Sequence, residues 1–317
     1  MQYLTLGRSG LHVSRACLGA MMFGHSETAP CNEDEARRII DAFLDGGGNF
    51  IDTANRYTAG ESEEVVGRAI KARRDDVVLA TKGFGPIGDG PNDMGLGRKY
   101  LTRALDDSLR RLGTDYIDVY QCHRADPDTP IEETMATLHG FVQSGKVRYI
   151  GCSNWTGSQM VEAQWAADRV GGTPFVSLQP RYSLNARGIE EDVLPTAQHH
   201  GLGTMIYSPL GGGVLTGKYK RGEDPPADSR IARGGIWARM LDEQSLDAAD
   251  EVAKVAADLG TTSTAVAIAW VLARRGVTSV IIGPRTFEQY EQNMEAFDLV
   301  LDPSVVKRLS DATRWAR

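Results

Sequence analysis

Eight short, largely apolar and β-branched runs recur along the chain, separated by stretches of helical periodicity, and this alternation limits the fold more than any other feature. The runs cover residues 16–19, 49–51, 77–80, 116–122, 147–152, 175–178, 204–207 and 279–282. Between them, residues 35–45 place Ala36, Ile39, Ile40, Phe43 and Leu44 on one helical face. Residues 99–112 do the same with Leu101, Ala104, Leu105, Leu109 and Leu112. Thr129 is placed to cap, and Pro130 to open, a helix carrying Ile131, Met135, Leu138 and Val142. Thr286 and Gln289 have the spacing of a capping box ahead of Tyr290, Met294 and Phe297. Eight strands alternating with helices suit either a parallel (β/α)8 barrel or a doubly wound sheet, and the pattern alone leaves both open. Residues 3–6 and 11–14 flank Gly7-Arg8-Ser9-Gly10 and read as a hairpin lid outside the series.

The 317 residues would make two domains of about 150, or one α/β barrel. No Pro/Ser-rich linker, low-complexity tract or repeat divides them, which favours one domain over residues 1–317. Two long Gly-, Pro- and Asp-rich segments, 83–97 and 218–246, each follow a strand, as functional lids do. With 35 Lys+Arg against 42 Asp+Glu, the net charge of −7 argues against a nucleic-acid partner. Cys17, Cys31, Cys122 and Cys152 form no CxxC pair and no Cys/His ligand spacing, so four free thiols in a reducing compartment are expected. No metal-ligand spacing occurs among the histidines either. His199-His200 precede Gly201, where a helix C-terminus suits them. The first residues lack a signal-peptide core, and the longest apolar run, 265–273, is half of the roughly 18 residues a membrane span needs. A cytoplasmic protein with no membrane partner is expected.

Two nucleotide-binding patterns fail on inspection. Residues 83–88 fit GxGxxG after a strand, but Asp89-Gly90-Pro91-Asn92 cannot open the helix that a Rossmann site needs. Residues 212–218 fit the start of a P-loop, yet Tyr219 stands where a Ser or Thr hydroxyl must meet Mg²⁺. That glycine-rich turn with Lys218 retains the means to cradle a pyrophosphate without hydrolysing it.

Four polar residues fall at or just beyond the C-terminal ends of successive strands: Asp52, Tyr57, Lys82 and His123. In a barrel those ends converge on one face, where catalytic groups collect. Each residue alone also has a structural explanation, the lysine as an ion-pair partner and the histidine as a packed ring.

The residues then become recognisable. Asp52-Thr53-Ala54-x-x-Tyr57, Gly60-Glu61-Ser62-Glu63, Thr81-Lys82 and the stretch from Asp115 to His123 resemble the aldo-keto reductase family. So do residues 145–154 and Tyr207-Ser208-Pro209-Leu210, and the resemblance runs from Leu6 to Asn293. It implies the (β/α)8 barrel with an N-terminal hairpin and long loops at the C-terminal face. It implies Tyr57 as proton donor to a substrate carbonyl, with Lys82, Asp52 and His123 as its partners. A free phenol titrates near 10, too high to move protons readily in both directions near neutrality. An ammonium ~4 Å away is worth up to about 4 kcal/mol at an effective dielectric of ~20, so a tyrosine pKa somewhat above neutral is expected.

The resemblance further implies a nicotinamide dinucleotide site. Ser153, Asn154 and Gln179 would hold the carboxamide, and Tyr207 would stack on the ring. Ser208, Leu210, Gly211, Gly213, Gly217 and Lys218 would wrap the pyrophosphate. Gly283, Arg285, Gln289, Gln292 and Asn293 would receive the adenosine end, where a guanidinium forks well onto a 2′-phosphate and so favours NADPH. Gln292 stands where many members carry an acid, and a lysine that many have near Gly283 is missing. Phe23, Phe84 and Trp155, with Met22 and Trp237, are candidates for an apolar substrate wall.

The resulting expectation is an NADPH-dependent reductase turning a small aldehyde or ketone into an alcohol by direct hydride transfer, with a keto-sugar among the candidates. Two rivals stand beside it. One is a nucleotide-sensing binding protein on the same fold, with vestigial turnover; the other is a Schiff-base lyase using Lys82.

Overall fold

The computed structural model describes residues 1–26, 29–227, 229–235 and 238–316. An antiparallel hairpin, β1 (Tyr3–Thr5) and β2 (His12–Ser14), precedes eight parallel strands. These are β3 (Ala16–Gly19), β4 (Phe50–Asp52), β5 (Val78–Gly83), β6 (Ile117–Cys122), β7 (Val147–Ser153), β8 (Ser177–Gln179), β9 (Gly203–Ile206) and β10 (Ser279–Ile282). Each pairs with its sequence neighbours, and β10 closes on β3, so the sheet is a closed barrel and the doubly wound alternative is excluded.

The helices surround it: α1 (Glu33–Asp45), α2 (Glu61–Ile70), α3 (Arg98–Leu112), α4 (Ile131–Gln143), α5 (Gly157–Arg169), α6 (Val193–His200), α7 (Glu243–Leu259), α8 (Ser263–Leu272), α9 (Phe287–Met294) and α10 (Pro303–Ala312). The apolar faces expected for residues 35–45 and 99–112 are buried against the barrel, apart from the half-buried Leu109. The ends of helices differ more. Pro130 does precede α4, but Thr129 does not cap it, because its hydroxyl donates to Asp126 at 2.7 Å. Thr286 accepts from the Gln289 backbone N–H, while the Gln289 side chain accepts from the Arg285 N–H at 2.9 Å. Only half of the predicted capping box forms, and the other half ties down the segment before it. His199 and His200 do end α6, and Gly201 follows in the left-handed conformation.

Strand periodicity layers the barrel interior. Side chains two apart share a face, so Phe50, Val78, Ala80, Val119 and Met205 form an apolar lower plug with Leu6 and Val13 of the hairpin segment. The next positions up those same strands are Asp52, Lys82, Gln121 and, on neighbouring strands, Ser153 and Gln179, all buried. The hairpin therefore closes the N-terminal end of the barrel, opposite the strand ends that carry the polar layer. It is a floor rather than a lid.

Segment 84–97 and the described residues of 217–242 form the expected long loops. The second encloses a small apolar cluster of its own, in which Val214, Tyr219 and Ile231 pack on Leu246 and Ala249 of α7. Cys17, Cys31, Cys122 and Cys152 are free and buried. Among the described residues, no single helix is long and apolar enough to cross a membrane.

Gly7 shows how tightly the floor is fitted. It has φ +61°, and a Cβ there would lie 2.3 Å from the Val176 carbonyl oxygen and 2.6 Å from the Gly203 nitrogen. Gly7→Ala combines an unfavourable backbone conformation with overpacking and should cost about 2–4 kcal/mol. Urea denaturation should show a lower midpoint at unchanged slope.

Candidate active site

Lys82 is fully buried, and its Nζ donates to Asp52 Oδ2 and to the Thr53 carbonyl, each at 2.6 Å. It also reaches the Tyr57 hydroxyl at 3.4 Å. The other Asp52 oxygen accepts from Gln179 at 2.8 Å and from Gln121 at 3.2 Å. Both oxygens of that carboxylate thus face donors, which is what a buried charge requires. On the outer face of β5, Thr81 donates to Glu63 at 2.6 Å, and Glu63 pairs with Arg111 at 2.7 Å. This buried chain ties the strand that carries Lys82 to α2 and α3.

Tyr57 is brought to Lys82 by a turn in the left-handed region, with φ +47° at Thr58 and +56° at Ala59. Such residues cost on the order of 1–3 kcal/mol each, and they persist where surroundings hold them. Here the Thr58 hydroxyl donates to the Phe23 carbonyl at 2.5 Å. The Tyr57 ring meets His123 edge to face, with centroids 5.7 Å apart.

Electrostatics assign distinct protonation states. Burial opposes charge on Lys82, but Asp52 and then Tyr57 outweigh it and hold the ammonium above its ordinary range. Burial pushes the Tyr57 phenol above 10; Lys82 pulls it down, and Asp52 pushes it back up. The expectation of a tyrosine pKa only somewhat above neutral is therefore corrected upward. A lone ammonium at this distance would offer up to ~5 kcal/mol at a dielectric of 20. Asp52 lies closer to Lys82 than Tyr57 does, and cancels much of that field. His123 is driven down to about 3 by burial, then by Lys82, Arg56 and Arg124, so its imidazole is neutral.

A cavity of about 670 Å³ opens above this layer. Asp52, Tyr57 and His123 line one end, with Ser153, Asn154, Gln179 and Tyr207 beside them. The Tyr207 hydroxyl donates to Asn154 at 2.7 Å, and Asn154 donates to Ser153 at 2.9 Å and to the His123 carbonyl at 3.2 Å. Asn154 and Ser208 both take positive φ, +61° and +54°. Ser208, Leu210, Gly213 and Lys218 continue the wall, and Gly283, Arg285, Gln289, Gln292 and Asn293 complete it.

Several expected residues lie elsewhere. Lys82 sits beneath the cavity, in contact with Tyr57 rather than the open space. Gly211 and Gly217, at φ +56° and +77°, shape the turn without lining the cavity, while Gly212 lines it. Phe23 is fully buried in the core, and Phe84 packs against the core. Trp155 stacks edge to face on Phe175 and borders a separate cavity of about 440 Å³ near residues 125–132. Of the apolar candidates, Met22 lines the main cavity, and Met21 joins it. Trp237 lies outside the described residues.

Sequence reading missed Arg124, Arg230 and the first turn of α8. Thr262 caps that helix by accepting from Ala265 N–H, and Thr262, Ser263 and Thr264 all line the cavity. A helix N-terminus presents free N–H groups and positive potential, which suits a phosphate. The threonine-serine run ahead of the apolar stretch 265–273 carried that signal. Arg124 directly follows His123 and was equally visible, whereas nothing in the sequence places Arg230, inside the long loop before α7, over the cavity.

The comparisons with known proteins agree with this geometry. The family model described as "Aldo/keto reductase family" matches residues 15–314. An uncharacterized oxidoreductase, YrpG, of Bacillus subtilis is 41% identical, over 98% of this chain and 95% of its own. A probable voltage-gated potassium channel subunit beta of Oryza sativa is 40% identical, over 98% and 95%. L-glyceraldehyde 3-phosphate reductase of Escherichia coli K12 is 35% identical, over 94% and 88%. With a buried Asp–Lys pair under a tyrosine at the barrel mouth and these matches across nearly its whole length, the chain belongs to the aldo/keto reductase family.

Proposed function

We propose that this protein is an NADPH-dependent carbonyl reductase in which Tyr57 is the general acid. The observation that carries the reading is the 3.4 Å contact between the Tyr57 hydroxyl and a Lys82 ammonium itself pinned by Asp52.

The cavity suits a dinucleotide phosphate in charge and shape. Lys218, Arg285 and the first turn of α8 offer positive potential to phosphates, and Gly212 and Gly213 present bare backbone to the cavity. Arg285 is the candidate for the 2′-phosphate. Ser153, Asn154 and Gln179 orient the carboxamide, while Tyr207, locked by its bond to Asn154, fixes the ring's face. When bound, the reduced nicotinamide supplies the hydride that the carbonyl carbon accepts.

The chain's own residues handle the proton. Tyr57, neutral across the physiological range, donates its hydroxyl proton to the carbonyl oxygen as alkoxide character develops. The phenolate left behind faces the Lys82 ammonium. Neutral His123 offers a ring N–H to the same oxygen and orients the carbonyl. No proton need leave His123, since its imidazole stays uncharged down to about pH 3.

The rival reading, a nucleotide-sensing binding protein with slow turnover, draws on the 40% identity to a chain named as a channel subunit. Steady NADPH oxidation over a panel of aldehydes, ketones and keto-sugars supports the reductase; single-turnover behaviour supports the sensor.

Three outcomes are expected. Tyr57→Phe should lower carbonyl reduction by at least about 100-fold while a fluorescence titration still shows NADPH binding; unchanged turnover would remove the acid assignment. Reduction requires the protonated phenol, whose pKa in the fold lies above 10. Its kcat/KM should therefore stay level from neutral pH through 9 and fall only on the alkaline side of 10, whereas alcohol oxidation should rise with pH. Arg285→Ala should weaken NADPH by about tenfold or more, the worth of one charge-assisted contact. Its effect on NADH should be much smaller, and equal losses for the two nucleotides would remove the 2′-phosphate assignment.

A further inference from the structure

The chain has a net charge of −7, yet the cavity runs the other way. Arg124, Lys218, Arg230 and Arg285 line it, and among the described residues the one lining carboxylate, Asp52, is already bonded to Lys82. Lys218 and Arg285 belong to the end proposed for the cofactor phosphates. Arg124 belongs to the other end, immediately after His123.

Two more guanidiniums border that end. Arg56 immediately precedes Tyr57 and crosses to the 84–97 loop, where a Cβ on Gly85 would lie 2.4 Å from its Cδ. Arg181 is bridged through its backbone to Tyr207, and its Nε is buried without a hydrogen-bond partner. Their fields reach the reacting groups: Arg56 and Arg124 help keep His123 neutral, and Arg181 and Arg124 act on the Tyr207 phenol. Among the described residues, none of Arg56, Arg124 and Arg181 forms an ion pair. Elsewhere this chain readily pairs its arginines with acids, as in Arg68–Glu33, Arg74–Asp118 and Arg308–Glu251.

Unpaired guanidiniums at a concave mouth concentrate anions and fork onto carboxylate or phosphate oxygens. We propose that the carbonyl substrate is itself anionic, its carboxylate or phosphate gripped by Arg56 and Arg124 while its carbonyl oxygen sits between Tyr57 and His123. Each arginine is one residue from a group that grips the oxygen, so a short compound fits, with the anion a few atoms from the carbonyl. Arg181 adds long-range attraction. The proposal rests on the reductase reading, and it assigns to this end of the cavity a substrate class that excludes plain hydrophobic aldehydes as preferred substrates.

The test compares matched substrates with the full chain and NADPH. Succinic semialdehyde is set against butanal, and glyceraldehyde 3-phosphate against glyceraldehyde. At least one anionic compound should exceed its neutral counterpart in kcat/KM by about tenfold or more, the worth of one such contact. The pair that shows it tells carboxylate from phosphate. The advantage should shrink as ionic strength rises. Arg124→Ala and Arg56→Ala should each lower the anionic-to-neutral ratio about fivefold or more, and Arg124→Lys should restore part of it. Both side chains are exposed, and an unchanged urea midpoint excludes misfolding. Equal kcat/KM within both pairs, or variants that lower anionic and neutral substrates alike, overturns the anionic substrate and leaves the reductase intact. Absence of NADPH oxidation with all four compounds, despite measured nucleotide binding, overturns the reductase reading and this inference together.

Discussion

The ion pair between Lys82 and Asp52 governs the upper half of this barrel. Two opposite charges taken fully out of water cost several kcal/mol each before any attraction is counted. The fold meets that cost with further donors rather than with solvent: two glutamine amides complete the shell of Asp52, and the Thr53 carbonyl and Tyr57 hydroxyl complete that of Lys82. Removing either partner would strand the other, so the pair is poor material for raw stability and good material for holding geometry. Gln121 shows the strain of the arrangement, since its amide bonds Asp52 while its carbonyl oxygen is buried with no partner.

This pairing also decides how readily the Tyr57 phenol gives up its proton. An isolated lysine beside a phenol would make it markedly more acidic. A lysine shared with a closer carboxylate does less, and burial does the rest, leaving the phenol above its ordinary value. In the proposed reaction, Lys82 is then better described as ready to receive the charge of the phenolate than as having already drawn the proton off. Neutral His123 fits the same scheme, because a second cation pressed against Lys82 would be repelled.

Much of the architecture was legible in the chain. The strand runs at 16–19 and 279–282 match the observed β3 and β10, and the others are displaced by no more than a few residues, because buried parallel strands are written as dense apolar runs. What periodicity could not give was closure. Barrel and open sheet share the same local pattern, and the distinction lies in the pairing of β10 with β3, more than 260 residues apart in sequence. Helix termini misled for a different reason. Thr129 and Gln289 are competent cappers, but each found a better acceptor or donor nearby, Asp126 in one case and the Arg285 N–H in the other. Of the site, the residues in phase with strand ends were readable, whereas the apolar wall was not. Phe23 and Trp155 sit only a few residues past strand ends, yet both turn into the packing around the barrel instead of over its mouth.

The hairpin at the opposite pole bears on the chemistry without touching it. Leu6 and Val13 stop the barrel's bore as a gasket stops a pipe, and the charged layer stands on the dry plug they help to form. Were that seal loosened, water could climb the bore to the underside of the ammonium and dampen its field from below. The chain's first fourteen residues, remote from every reacting atom, thereby help set how polar the reaction chamber is.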